Sequence, residues 1–242
     1  MDLIQKLQPQ IEKIKTISHR LGFEMSCDLE VANLCAIVAR GCHGNWLELG
    51  TGTGLSTLFL AEVLEAGRLD TVDVNEEYSK AAQSVIGPKK GLQFIVEDGG
   101  DFLSSCKPQT YNFIFADAWP GKYSHLHLAL NTLVVGGIYF IDDLLPQSNW
   151  PNHHQLKVDA LLSFFNQLDS FAISHLHWSS GCAVITKLKE DTFVTELTAR
   201  EDYKFLFSEE TFQRISEIRP PQSVATEPPV AFFPVGQSET AH

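Results

Sequence analysis

The sequence predicts an α/β domain built on a doubly wound, mostly parallel sheet of seven strands. From Asn45 onward, short apolar runs alternate with amphipathic stretches. A glycine-rich turn follows the first such run in WLELGTGTGLST, and two strand-like runs meet near residue 180 with no helix between them. The alternation implies βαβ crossovers and parallel pairing. The final pair implies a C-terminal antiparallel hairpin.

Taken in order, Leu3, Leu7, Ile11, Ile14 and Ile17 or Ser18 recur at helical spacing, and Gly22 is placed to end that helix. A second helix is expected to start at Asp28, capped by its carboxylate, to bury Val31, Leu34, Cys35 and Val38, and to stop at Gly41. Together these helices (1–44) are expected to cover the substrate side of the sheet. The spacing predicts strands at 45–49, 69–73, 92–96, 111–116 and 136–141, and helices at 55–66, 75–86, 99–105, 123–133 and 153–169. FAISHLHWSSGCAVITKL, 171–188, turns at Ser179-Ser180-Gly181 and completes a core of 45–188, the sheet ending on one antiparallel strand. In the remaining 189–242 a helix fits 209–217. The proline-rich run 219–236 suits a partly flexible tail draped on the surface, with Phe232-Phe233 offering a docking point.

The 242 residues are 44 % hydrophobic and 20 % charged, which suits one soluble, catalytic-size domain. A net charge of −12 without a Lys/Arg-rich block argues against a nucleic-acid partner. No apolar run approaches the roughly 20 residues of a membrane helix. The opening MDLIQKLQPQIEKIK is charged and amphipathic, without a signal-peptide core, so a cytoplasmic protein with no membrane partner is expected. Its five cysteines are scattered and never spaced C-x-x-C, which reads as small buried thiols rather than a disulfide or zinc framework.

Gly50, Gly52 and Gly54 lie where a strand hands over to a helix, the arrangement that lets a cofactor approach the backbone closely. Their G-x-G-x-G spacing places Leu55 where a dinucleotide fingerprint needs glycine, and no G-K-[ST] follows. Glu48, two residues earlier, repels a pyrophosphate but suits a cationic ligand. Asp73 closes the next strand, where an acid accepts from ribose hydroxyls. Asp98, after LQFIV, is placed to receive the amine of adenine.

These residues resemble the class I S-adenosylmethionine-dependent methyltransferases and imply their Rossmann-like fold. ELGTGTG, including Thr51, stands for the first motif of that group, Asp73 for its ribose acid and Glu97-Asp98-Gly99 for its adenine-side motif.

The fourth and fifth strands end in FADAWPGKY and FIDDLLPQ, which brings Asp117, Asp142 and Asp143 to adjacent carboxyl ends. Three such carboxylates invite a hard divalent cation, Mg2+ or another, that would lower the pKa of a bound hydroxyl. In plainer roles Asp117 caps the next helix and Asp142 or Asp143 bonds loop amides. Over roughly 23–188 the sequence resembles the cation-dependent O-methyltransferases of the catechol and caffeoyl-CoA type, in which an Asp after strand four and an Asp-Asn pair after strand five hold the metal. Asp143 departs from that pattern, which has Asn there. Pro120 stands where catechol-type members carry a lysine base, leaving Lys122 as the candidate substitute.

His125 is a candidate base because imidazole titrates near neutrality. His153-His154 and the His175/His177 pair read as exposed or packing residues. Trp119, Tyr123 and Trp150 suit either core packing or the wall of a flat pocket. The expected activity is methyl transfer from S-adenosylmethionine to a hydroxyl of a small or aromatic acceptor, in a chain whose N-terminal helix and tail suit a homodimer. An aminopropyltransferase acting on a polyamine and a non-catalytic S-adenosylmethionine-binding scaffold are the alternatives.

Overall fold

The computed structural model describes residues 2–147, 150, 154–166, 168–192 and 194. The expectations for 209–217, 219–236, Phe232-Phe233 and His153 lie outside them.

Helix α1 (Leu3–Leu21) starts where the Asp2 carboxylate accepts the Ile4 amide and ends at Gly22 in the left-handed conformation. Asp28 precedes α2 (Leu29–Arg40), but its carboxylate makes no cap bond. It accepts the Ser179 hydroxyl at 2.5 Å instead, tying the start of α2 to the distant hairpin turn. The buried stripe of α2 is Val31, Ala32, Cys35, Ala36 and Ala39, with the expected Leu34 and Val38 only partly covered. Small side chains on that stripe let α2 lie close against its neighbours.

Seven strands form one sheet: β1 (Trp46–Leu49), β2 (Leu69–Asp73), β3 (Leu92–Val96), β4 (Tyr111–Ala116), β5 (Leu133–Ile141), β6 (Phe171–Leu176) and β7 (Cys182–Lys187). Their order is β3-β2-β1-β4-β5-β7-β6. Pairing is parallel except that β7 runs antiparallel to both β5 and β6. The sequence placed an antiparallel strand at the end of the sheet. It lies one place inside, because the hairpin folds back and inserts its second strand.

The helices are α3 (Leu55–Val63), α4 (Glu76–Ile86), α5 (Gly99–Ser105), the single turn α6 (Trp119–Lys122), α7 (Leu126–Thr132) and α8 (His154–Asn166). One face of the sheet packs Phe113, Phe115 and Phe140 against α1 to α4, so the two N-terminal helices share its core. The other face packs Ile114, Tyr139 and Ile141 against α5, α7 and α8. The helix expected over 123–133 is interrupted: Gly121 turns with φ 90° inside α6, and Leu133 already pairs with Tyr111 as the first residue of β5. The run Leu133-Val134-Val135 favours a strand through its β-branched residues.

Strand order reverses between β1 and β4, and the carboxyl ends of those neighbours open a crevice of the kind that binds ligands in doubly wound sheets. No helix among the described residues is long and apolar enough to cross a membrane.

Candidate active site

The crevice holds a cavity of about 330 Å³ walled by Phe23, Cys27, Thr51, Asp73, Tyr78 and Asp117, among others. A smaller hollow of about 130 Å³, reaching Asp98, Gly99 and Pro120, shares Gly50, Asp73, Val74 and Ala118 with it. Asp73 stands at their junction. Its Oδ2 accepts the Gly52 amide at 2.7 Å and its Oδ1 the Asn75 amide at 2.8 Å, so the loop after β1 is fastened to the end of β2. Each oxygen keeps a lone pair for a ligand hydroxyl. Asp98 caps α5 through Oδ1, accepting from Gly100 and Asp101, and Oδ2 makes none of these bonds.

The glycines are also approached by the rest of the protein. A Cβ on Gly50, at φ 103°, would lie 2.8 Å from the Asp117 carbonyl oxygen. One on Gly52 would lie 2.7 Å from the Phe23 ring. The β4 loop closes on Gly50, and the α1–α2 connection lays Phe23 over Gly52, with the Tyr78 ring tilted against it at 4.8 Å between centroids. Gly54 packs on Ala82 of α4.

Glu48, expected to face a cationic ligand, is instead fully buried behind the loop and does not line the cavity. Its Oε2 accepts from Thr57 and Thr71, each at 2.5 Å. Burial pushes its carboxyl up to about 7, while hydroxyl donors from Ser56, Thr57 and Thr71 oppose the rise. A carboxyl that keeps its proton longer when folded stabilises the fold below its ordinary 4.5 and loses that contribution as the pH climbs to about 7. The loss is on the order of 3 kcal/mol. Glu48→Gln, which cannot ionise, is therefore expected to gain about that much relative to the wild type between pH 4.5 and 7.5 in denaturant titrations. A pH-independent difference contradicts this reading.

At the ends of β4 and β5 the three expected carboxylates do not converge. Donor atoms of Asp117 and Asp142 lie within 4.8 Å of each other and of the Cys27 thiol. Asp143, whose backbone is left-handed at φ 59°, turns away from that group and faces Lys122 at 3.7 Å. Lys122 is buried, donates to the Asp142 carbonyl at 2.9 Å and stands 3.8 Å from Asp117. Burial alone would depress its ammonium, but Asp117 and Asp143 together raise it. Asp142 Oδ1 accepts the Ser180 hydroxyl at 2.5 Å and the Asp143 amide at 2.7 Å; its buried Oδ2 has no hydrogen-bond partner among the described residues. Burial, then the Asp143 charge, pushes the Asp142 carboxyl up to about 6, and burial carries Asp117 well above the usual carboxylate range.

This donor set does not fit Mg2+. That ion takes hard oxygens in octahedral array, whereas here a thiol replaces the third carboxylate. Burial raises the Cys27 pKa well above its ordinary value, which keeps the thiol protonated. Of that set, Asp117 already has the Lys122 ammonium as counter-ion, as does Asp143 beside it.

Of the expected residues, Gly50, Thr51, Gly52, Asp73 and Asp117 wall the larger cavity, and Asp98 and Gly99 wall the smaller. Lys122 and His125, expected as bases, wall neither. The His125 imidazole is wedged against Gly100 of α5. His154, expected at the surface, lies against Trp150 at 4.1 Å and meets the Tyr123 hydroxyl at 3.2 Å. The reading of single residues missed Phe23, Cys27 and Tyr78, although Tyr78 falls in the first turn of α4, just after β2, a signal available in the sequence.

Solved structures share the fold. The O-methyltransferase TomG from Streptomyces achromogenes, involved in tomaymycin synthesis and determined with S-adenosylmethionine, superposes with a TM-score of 0.64 at 17 % identity, covering 74 % of this chain and 90 % of that one. An O-methyltransferase from Bacillus cereus in complex with SAH gives 0.62 at 17 % identity over 77 % and 97 %. A curated malonyl-[acyl-carrier protein] O-methyltransferase 2 of Ilyobacter polytropus is 32 % identical over 90 residues, 34 % of this chain. The match spans about a third (33 %) of that relative's length. The sequence model described as O-methyltransferase matches residues 10–169, well over half of the protein. On that match, and with the cavity placed as above, the chain belongs to the O-methyltransferase family.

Proposed function

We propose that the protein transfers the methyl group of S-adenosylmethionine to a hydroxyl oxygen of a small, flat acceptor. The observation that carries this reading is Asp73, at the junction of two contiguous hollows whose walls, among the described residues, hold Asp73, Asp98 and Asp117 but no lysine or arginine. A phosphate finds no cationic partner there, whereas a nucleoside bearing a positive sulfonium meets a matching field. Asp73 would grip the ribose, Asp98 and Gly99 the adenine side, and the Gly50–Gly52 loop with Thr51 the amino-acid side. When bound, that cofactor supplies an activated methyl group.

Asp117 is the one carboxylate of its cluster that walls the larger cavity. With its pKa raised by burial, it is suited to take the proton from an acceptor hydroxyl as the oxygen becomes a nucleophile. Met25, 74 % exposed, and Trp119, 53 % exposed, stand at the same wall and offer apolar surface to an aromatic acceptor. A cytoplasmic setting accords with five free thiols.

Calorimetric titration with S-adenosylmethionine and its demethylated product is expected to give micromolar binding, and transfer of labelled methyl to a panel of catechols and phenols is expected to give product. Absence of binding ends the cofactor reading. Binding without transfer to any hydroxyl acceptor favours the scaffold alternative.

A further inference from the structure

We propose that Lys122 is a resident counter-ion occupying the electrostatic role of a divalent metal, so that this O-methyltransferase works without a bound metal ion. The inference rests on the methyl-transfer reading for its chemistry, but its geometry is independent of it.

Asp117 and Asp142, covered at the ends of two adjacent strands, require positive charge nearby if they are to ionise, and Asp143 beside them is part-exposed. Lys122 provides it from within the chain. Only 3 % of the residue is exposed, although lysine is almost never that buried unless paired. Its ammonium is anchored by the Asp142 carbonyl at 2.9 Å and lies 3.8 Å from Asp117 and 3.7 Å from Asp143. The turn that carries it is held as firmly. Gly121 accepts the Tyr139 hydroxyl at 2.6 Å through its carbonyl and donates to the Ser124 carbonyl at 2.7 Å through its amide. The ammonium lines neither hollow, and a divalent ion seated among the same oxygens would meet a like charge at close range. The two oxygens of Asp142 point the same way: Oδ1 is committed to Ser180 and the Asp143 amide, and only Oδ2 is left for an ion. Asp117, kept in place by this internal cation, remains the one acid of the three that faces an acceptor.

The test reads metal directly. Wild-type protein titrated with Mn2+ is expected to leave the free-ion electron paramagnetic resonance signal unchanged. Its thermal midpoint is expected to stay put with EDTA, Mg2+, Mn2+ or Zn2+. Lys122→Met, which removes the charge while keeping much of the volume, is expected to bind one Mn2+ per chain at least roughly 100-fold more tightly than wild type. Stoichiometric Mn2+ or Zn2+ on the wild type that disappears in Asp142→Asn overturns the proposal, as does Lys122→Met that folds but gains no affinity. If Lys122→Met does not fold, the wild-type titration decides alone. Binding of S-adenosylmethionine is scored separately, so failure of the methyl-transfer reading would show as lost cofactor binding with the metal result intact.

Discussion

Asp73→Ala is expected to weaken binding of S-adenosylmethionine and of its demethylated product by at least about 100-fold, with the protein still folded. Hydrogen bonds to a charged partner contribute about 1.5–3 kcal/mol each, and a ribose diol offers two. A loss of about 3 kcal/mol already corresponds to roughly two orders of magnitude in affinity. The carboxylate has a second duty, since it accepts the Gly52 and Asn75 amides and so fastens the glycine loop to β2. Asp73→Asn keeps one acceptor oxygen and should fall between the variant and the wild type. Calorimetry measures both. Affinity within a few-fold of wild type for Asp73→Ala would remove the ribose from this site.

Gly50→Ala is the second large effect. Its Cβ would meet the Asp117 carbonyl oxygen at 2.8 Å and the carbonyl carbon at 3.1 Å, with φ at 103°. Backbone strain in that region costs on the order of 1–3 kcal/mol, and overpacking against backbone adds about as much. A fall in thermal midpoint of roughly 10 °C is expected, together with loss of cofactor binding as the Asp117 loop is pushed outward. Gly136→Ala is the control. Its φ is 81° but nothing lies within 4 Å of the added carbon, so it should show the conformational cost alone, about 1 kcal/mol. Equal destabilisation by both substitutions would mean that the closeness of the two loops does not matter.

The strands and the acids that end them were legible because each βα turn follows an apolar run and the acid marks its boundary. Asp73, Asp98 and Asp117 stand beside the hollows as that rule requires. Glu48 was not legible. All four residues of β1 are buried, so period-two alternation carries no information about which face a side chain takes. Asp143 was misplaced because its left-handed backbone turns it toward Lys122, and nothing local announces that conformation. Phe23 and Cys27 reach the cavity only because the α1–α2 connection folds back over the glycine loop. That contact spans a long stretch of chain, and periodicity reports only on neighbours.

The position of β7 bears on how the chain assembles as it leaves the ribosome. Strands one to four can pair as soon as they emerge, but β5 keeps a bare edge until Cys182–Lys187 has been synthesised and slipped between it and β6. Until then that edge is a template for pairing with other nascent chains. The half that carries the glycine loop and Asp73 can therefore pair before the β5 edge is closed, and a ribosome stalled between 141 and 182 would leave an adhesive intermediate.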